Sequence, residues 1–238
     1  MPVPELDAAA RDALVHENLD LVDILARQVG RRVGSHVRLD DLTSYGHEGL
    51  LDASRRFEPD RGVPFRAFAT LRVRGAMLDG LRKDQALPRR AHERVRAMRA
   101  ATFASEGAVE DVFVSRGVVV DRAAADRALA DHLAGMATAM ALGIVSSEGE
   151  GADAGREGPS SPEELVAGAE LRGLLLGLVG ELPEDEATLV RRHYFEGERF
   201  DLVAAELGLS KSWASRLHTR ALGRLGKRLK ARFAPDDL

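Results

Sequence analysis

Two runs of apolar residues at helical spacing, placed on either side of one tight turn, constrain this chain more than any other feature. In the first, Leu42, Tyr45, Gly49, Ala53 and Phe57 recur three or four apart; in the second, Phe65, Phe68, Ala69, Val73 and Ala76 do the same. That spacing lays an apolar stripe along an α-helix. The break between them reads Pro59-Asp60-Arg61-Gly62, a strong turn signature. Pro64 then falls in the first turn of the second helix, where its missing N–H is not needed. Asp40 and Asp41 sit where the first helix begins, so one can cap free N–H groups and both suit the positive end of the helix dipole. The second helix carries Arg66, Arg72, Arg74, Arg82 and Lys83 on its other side. The result is an acidic helix start followed by a basic helix.

Aromatic rings beside clustered cations suit single-stranded nucleic acid, with bases stacking on rings while phosphates meet arginines. Core aromatics beneath a solvated basic face are the plainer alternative. The succession DDL (40–42), GLLDA (49–53), RFEPDRGVPFRAFA (56–69) and RVRGAMLD (72–79) resembles the second conserved region of bacterial RNA polymerase sigma factors, of the flagellar and sporulation type. The resemblance implies that Asp40, Asp41, Leu42 and Thr43 dock on a coiled coil of the largest subunit of core RNA polymerase. It implies further that Phe65, Arg66, Phe68, Arg72, Arg74, Arg82, Lys83 and Arg89 engage the promoter element near the start site. Phe68 takes the aromatic position of the family's FxxYA pattern, which contacts the unpaired non-template strand. One departure stands out: where related flagellar factors carry Trp just before Val-Pro-Arg, this chain has Ala86. A stacking ring is worth about 1 to 3 kcal/mol per base, so efficient promoter opening is a weaker expectation than polymerase binding.

The chain has 238 residues and 45% hydrophobic content, which suits two or three small domains. The absence of cysteine excludes disulfides and cysteine-based zinc sites. Pro2, Pro4, Glu5 and Asp7 do not make the basic start and apolar core of a secretory signal. The run Leu133 to Val145 is short for a bilayer and rich in Ala and Gly. A cytoplasmic protein is expected. There is no cysteine nucleophile, GxSxG, phosphate-binding glycine loop or paired-His metal spacing, so neither an enzyme nor a cofactor nor a metal is expected.

A net charge of −4 looks unfavourable for nucleic-acid binding, but its distribution reverses that impression. Lys211 to Arg232 contains eight Lys or Arg and no acid, and Arg82 to Arg99 contains seven bases against Asp84 and Glu93. The basic charge is thus concentrated in two segments of an otherwise acidic chain, a nucleic-acid footprint in two places.

In chain order, a first helix is expected from about Asp12 to Val33, with Leu14, Leu21, Val22, Leu25 and Val29 on one face and Gly34 as its stop. It completes an all-α domain over 8–90. Residues 91–145 read as a diverged, mostly helical segment: Leu129, Leu133, Met136 and Met140 make a helical stripe, while Val118, Val119 and Val120 form a β-branched run. In the resembled family a third region follows here. Residues 146–164 are dense in Gly, Ser, Pro and acid, the composition of a flexible linker; the resemblance implies a segment threaded through the polymerase. Helical pattern resumes at Ser161-Pro162-Glu163-Glu164 and opens a domain over 165–234.

Phe200 to Thr219 reads as a helix-turn-helix, with Ala204 small at the crossing and Gly208 at the turn. Ser210 caps a second helix whose early side chains Lys211, Ser212, Trp213, Ser215 and Arg216 are expected in the major groove, joined farther along by His218 and Arg220. Lys211 and Arg216 can reach guanine edges. Arg220, Arg224, Lys227 and Arg228 are expected on phosphates, which position without specifying. Residues 182–225 resemble the fourth sigma region, which reads the upstream promoter element. The fold expected is therefore all-α: several small helical domains joined by linkers, ending in a helix-turn-helix. The resemblance implies core polymerase, promoter DNA and a dedicated anti-sigma protein as partners, with no membrane. A helix-turn-helix activator that does not join the polymerase is the alternative.

Overall fold

The computed structural model describes residues 7–34, 36–83, 87–114, 122–145 and 161–233. These form ten α-helices, with no strand among the described residues. By contacts the chain divides into two compact units, Met1–Thr102 and Phe103–Leu238.

The first unit is built on α1 (Ala8–His16), α2 (Leu19–Val33), α3 (Leu39–Arg56) and α4 (Phe65–Arg82), closed by the first half of α5 (Arg89–Val114). The single N-terminal helix expected from Asp12 is two helices. Asn18 turns its side-chain amide back onto the Leu14 carbonyl at 2.9 Å and leaves helical geometry at φ −122°, ψ 17°. Asparagine competes with the backbone for its own hydrogen bonds, and here that breaks the helix. Asp7 caps α1 by accepting from the Ala10 N–H at 2.7 Å. The core is Leu21, Val22, Leu25, Ala26 and Val29 of α2 against Leu42, Leu50 and Ala53 of α3 and Val73, Met77 and Leu78 of α4, with Val95 of α5.

The turn between α3 and α4 behaves as its sequence dictates, with small shifts at both ends. Pro59–Arg61 forms one 3₁₀ turn, and Gly62 takes φ +72°, which a side chain would resist. Phe57 does not end the α3 stripe; it is the extended residue after Arg56, and its ring packs on Phe65 and Phe68 at 5.1 and 5.6 Å. Pro64 stands one position before α4. Asp40 and Asp41 lie inside the first turn of α3, where they meet the dipole, but neither caps it: the cap position is Arg38 and has no side-chain hydrogen bond. The α3–α4 crossing is close. A Cβ on Gly49 would come within 2.7 Å of Ala76 Cβ and 2.9 Å of Val73 Cα, and one on Gly80 would enter the Tyr45 ring.

The second unit contains the rest of α5, α6 (Arg122–Val145), α7 (Pro162–Gly180), α8 (Glu184–Val190), a single π turn over Arg191–Phe195, α9 (Phe200–Glu206) and α10 (Lys211–Phe233). The Val118–Val120 run and residues 146–160 of the expected linker lie outside the described residues. The stretch Leu133–Val145, short for a bilayer by itself, belongs to a helix of 24 residues whose most apolar window has mean hydropathy 1.5, enough by length and composition to cross one. That helix packs on α10, with Ala139, Leu142 and Val145 buried. Helices α9 and α10 form the helix-turn-helix. Gly208 makes the turn at φ +68°, and Ser210 Oγ accepts from the Trp213 N–H at 3.3 Å.

Candidate nucleic-acid interface

The residues that the sequence assigns to three surfaces divide into some that reach solvent and some that do not. At the start of α3, Asp40 and Asp41 are exposed, whereas Leu42 is fully buried. Leu42 therefore fills the core beneath the surface instead of forming part of it. Thr43 is half-buried and donates its hydroxyl to the Leu39 carbonyl at 2.9 Å. What the sequence reading missed is Leu39 and Leu51, both exposed. With Asp40, Asp41, Ser44, His47 and Glu48 they make an acidic helix face with an apolar residue at each end. The signal was available for Leu51, which falls off the apolar stripe, but not for Leu39, which stands three residues before Leu42 and continues its spacing.

On α4 the aromatic and basic residues divide into support and surface. Phe65 is buried edge-on against Phe57, so it is a core ring and not a stacking platform. Phe68 is half-buried, and the Arg72 guanidinium lies over it at 4.8 Å from the ring centroid. Arg66 is bound bidentately by Asp20 of α2, at 2.9 and 2.7 Å. The shared hydrogen bond holds the Asp20 carboxyl below its ordinary range and raises Arg66. Both groups are well exposed, so water and salt weaken the pair and leave it open to exchange for phosphate. Arg74 is half-buried, its charge disfavoured first by desolvation and then by Arg32. Arg82 and Lys83 are exposed at the C-terminal end of α4; Arg89 begins α5, and Ala86 lies outside the described residues. A contact absent from the sequence reading joins α5 to α4: Arg99 donates to Asp79 at 2.8 Å.

On α10, Trp213 is 44% exposed, and the guanidinium groups of Arg216 and Arg220 stand 5.3 and 5.5 Å from its ring centroid, within cation–π range. Lys211 and Ser212 occupy the first two positions of the helix. Two assigned residues face inward. Ser215 is buried, and His218 is 1% exposed, its Nε2 sharing a 3.0 Å hydrogen bond with the Tyr194 hydroxyl among the rings of Phe103, His193 and Phe200. Burial, and secondarily His193, lower its pKa to about 3, so the imidazole is neutral. Neither can touch a DNA edge. The pattern foretold this, because Ala214, Leu217, His218, Ala221, Leu222 and Leu225 follow one helical stripe.

Three cations expected on phosphates are already engaged: Arg220 stands 3.9 Å from Glu186. Arg224 binds Glu186 at 3.1 Å, and Arg228 binds Glu181 at 3.0 Å. Arg192, in the π turn, pairs with Glu198 and, at 2.6 Å, with Glu206, tying the π turn to α9; these hydrogen bonds raise its pKa. Among the described residues no cluster of three or more His, Asp or Glu could hold a metal.

Comparison with known proteins gives two family matches: Sigma-70 region 2 over residues 14–87 and Sigma-70 region 4 over residues 178–227. The chain is 28% identical to an RNA polymerase sigma-D factor of Bacillus subtilis, covering 92% of this chain and 89% of that protein. It is 27% identical to an RNA polymerase sigma factor FliA of Pseudomonas aeruginosa, covering 92% and 91%. An RNA polymerase sigma-F factor of Kitasatospora aureofaciens is 31% identical over 90% of this chain and 73% of its own length.

Proposed function

The chain belongs to the sigma-70 family of RNA polymerase sigma factors, which bind core RNA polymerase and direct promoter-specific transcription initiation; from that premise we propose how its surfaces divide the work. Residues 8–90 form the region 2-like domain. The exposed face of α3, with Asp40 and Asp41 at its start, binds core polymerase, and Leu42 and Thr43 hold that helix start in place. Phe68, capped by Arg72, meets an unpaired base of the element near the start site, while Arg66, Arg82, Lys83 and Arg89 take the flanking phosphates. Residues 165–234 form the region 4-like domain that reads the upstream element through Lys211, Ser212, Trp213, Arg216 and Arg220. Residues 91–145 correspond to the family's third region, and 146–164 to the linker between.

The observation that carries this is the Phe68–Arg72 stack: a half-exposed ring under a cation, on the helix next to an acidic docking face. FliA and sigma-D relatives support an alternative sigma of flagellar type. A cytoplasmic, non-enzymatic protein held by an anti-sigma partner is part of the same proposal. An activator acting outside the polymerase is not favoured, because it leaves the region 2 match without a role. Transcription with purified core polymerase on a library of promoter fragments tests the proposal: start-site-specific transcripts dependent on this protein are expected, and their absence from a preparation that does not bind core would sink it.

A further inference from the structure

Glu186 stands in the first turn of α8, three and four residues before Leu189 and Val190 on that helix's apolar side. Its side chain is 3% exposed, yet it carries a carboxylate. A charge removed from water needs partners, and both come from α10: Arg224 at 3.1 Å and Arg220 at 3.9 Å. The same Arg220 lies over Trp213, seven residues earlier, and Arg216 covers the ring from three residues away. Positions 213, 216, 220 and 224 share one helix face. A continuous line of contact therefore runs from a carboxylate beneath α10 to the exposed indole near its start. Arg216 Nε is buried and has no hydrogen-bond partner, so the ring contact is the one that orients it.

We propose that Glu186 is a positioning residue for promoter recognition: it anchors Arg220, and through Arg220 sets the plane of Trp213 that is presented to DNA. The chemistry recognised is that of a base-pair edge with an apolar group, such as a thymine methyl, set beside phosphates. The broad indole covers the methyl, and the arginine edges remain directed at the backbone. Without the anchor Arg220 becomes a mobile cation that finds any phosphate, which favours DNA binding without favouring sequence. This inference rests on the upstream-element role proposed for α10.

Trp213 is the one tryptophan of the chain, so emission excited beyond tyrosine absorption reports its environment alone. In the full-length protein, Glu186→Gln keeps an acceptor for Arg224 but removes the charge. It is expected to raise acrylamide quenching of Trp213 about twofold, in the direction of Arg220→Ala, because the ring loses its cover. Arg220→Lys, which leaves the buried position untouched and loses the planar stack, is expected to do the same. With core polymerase, on fragments selected by the wild type from a library randomised upstream, Glu186→Gln should lose about tenfold in discrimination between selected and scrambled DNA while retention on scrambled DNA does not fall. A merely structural acid would lower both alike, and that result overturns the positioning role. Unchanged quenching in Glu186→Gln beside increased quenching in Arg220→Ala overturns the tether. If the wild type selects no upstream sequence, the promoter role of α10 fails while the quenching comparison still decides the tether.

Discussion

The Arg72 guanidinium rests 4.8 Å from the centre of the Phe68 ring, one helical turn along α4, and that ring leans in turn on Phe57 at 5.6 Å. Phe68 thus leans on a core ring on one side, and the Arg72 guanidinium lies over the ring. In the role proposed for Phe68, a base from melted DNA would take the place of Arg72 over the ring, leaving Arg72 for its phosphate.

Phe68→Leu tests this with little disturbance to the core, since leucine can retain the contact with Phe57. Open-complex formation, followed by permanganate reactivity of unpaired thymines, is expected to fall about tenfold, matching the loss of one stacking contact. Retention by core polymerase is expected to be unchanged. An unaltered opening rate would reduce Phe68 to a core ring.

The polymerase grip is tested by Asp40→Ala/Asp41→Ala, both on exposed side chains of α3. Capture of purified core polymerase is expected to drop, while the loss of two dipole-facing charges, about 0.3 to 1 kcal/mol each, lowers the melting temperature only slightly. Leu42→Ala is the contrasting control: it removes a fully buried side chain and should destabilise the first unit by about 2 to 5 kcal/mol. Equal capture of the double variant and the wild type would move the docking surface elsewhere.

Gly49→Ala and Gly80→Ala are expected to cost about 1 to 3 kcal/mol each, measured by denaturant unfolding, because the added Cβ meets backbone in one case and the Tyr45 ring in the other. Gly173→Ala, where the added Cβ meets nothing within 4 Å, should not destabilise.

His218 gives the second unit an acid-sensitive core. Its folded pKa of about 3 lies below the ordinary 6.5, so the unfolded chain takes up the proton first. The stabilisation is complete above about pH 6.5 and is lost as pH falls towards 3, at no more than about 1.4 kcal/mol per pH unit. His218→Phe should flatten that slope in unfolding curves measured from pH 7 to pH 4; an unchanged slope would assign it to the carboxylates.

Much of the fold was legible because local signals agreed: Asp60 and Gly62 for the turn, Gly208 and Ser210 for the helix-turn-helix, and three-four spacing for α3 and α4. The failures came from treating a charge or a hydroxyl as a sign of the surface. His218 and Ser215 were assigned to the groove but sit on an apolar face, as does Glu186, which drew no reading from the sequence; there the stripe predicts burial better than the residue type does. The partners of His218 and Glu186, Tyr194 for one and Arg224 for the other, lie 24 and 38 residues away in sequence, a separation that no local pattern reveals. Asn18 was the opposite case, a local signal that interrupted a longer periodic one.

The glycine-lined crossing of α3 and α4 has a mechanical consequence. Where Gly49 meets Val73 and Gly80 meets Tyr45, no rotatable side chain on the glycine side can absorb a displacement. A displacement of α3 at Gly49 therefore meets the α4 backbone directly, so the exposed α3 face and the Phe68–Arg72 stack lie on two helices held at close quarters. If α3 docks on polymerase and Phe68 holds an unpaired base, as proposed, a push on the first would reach the second through this crossing.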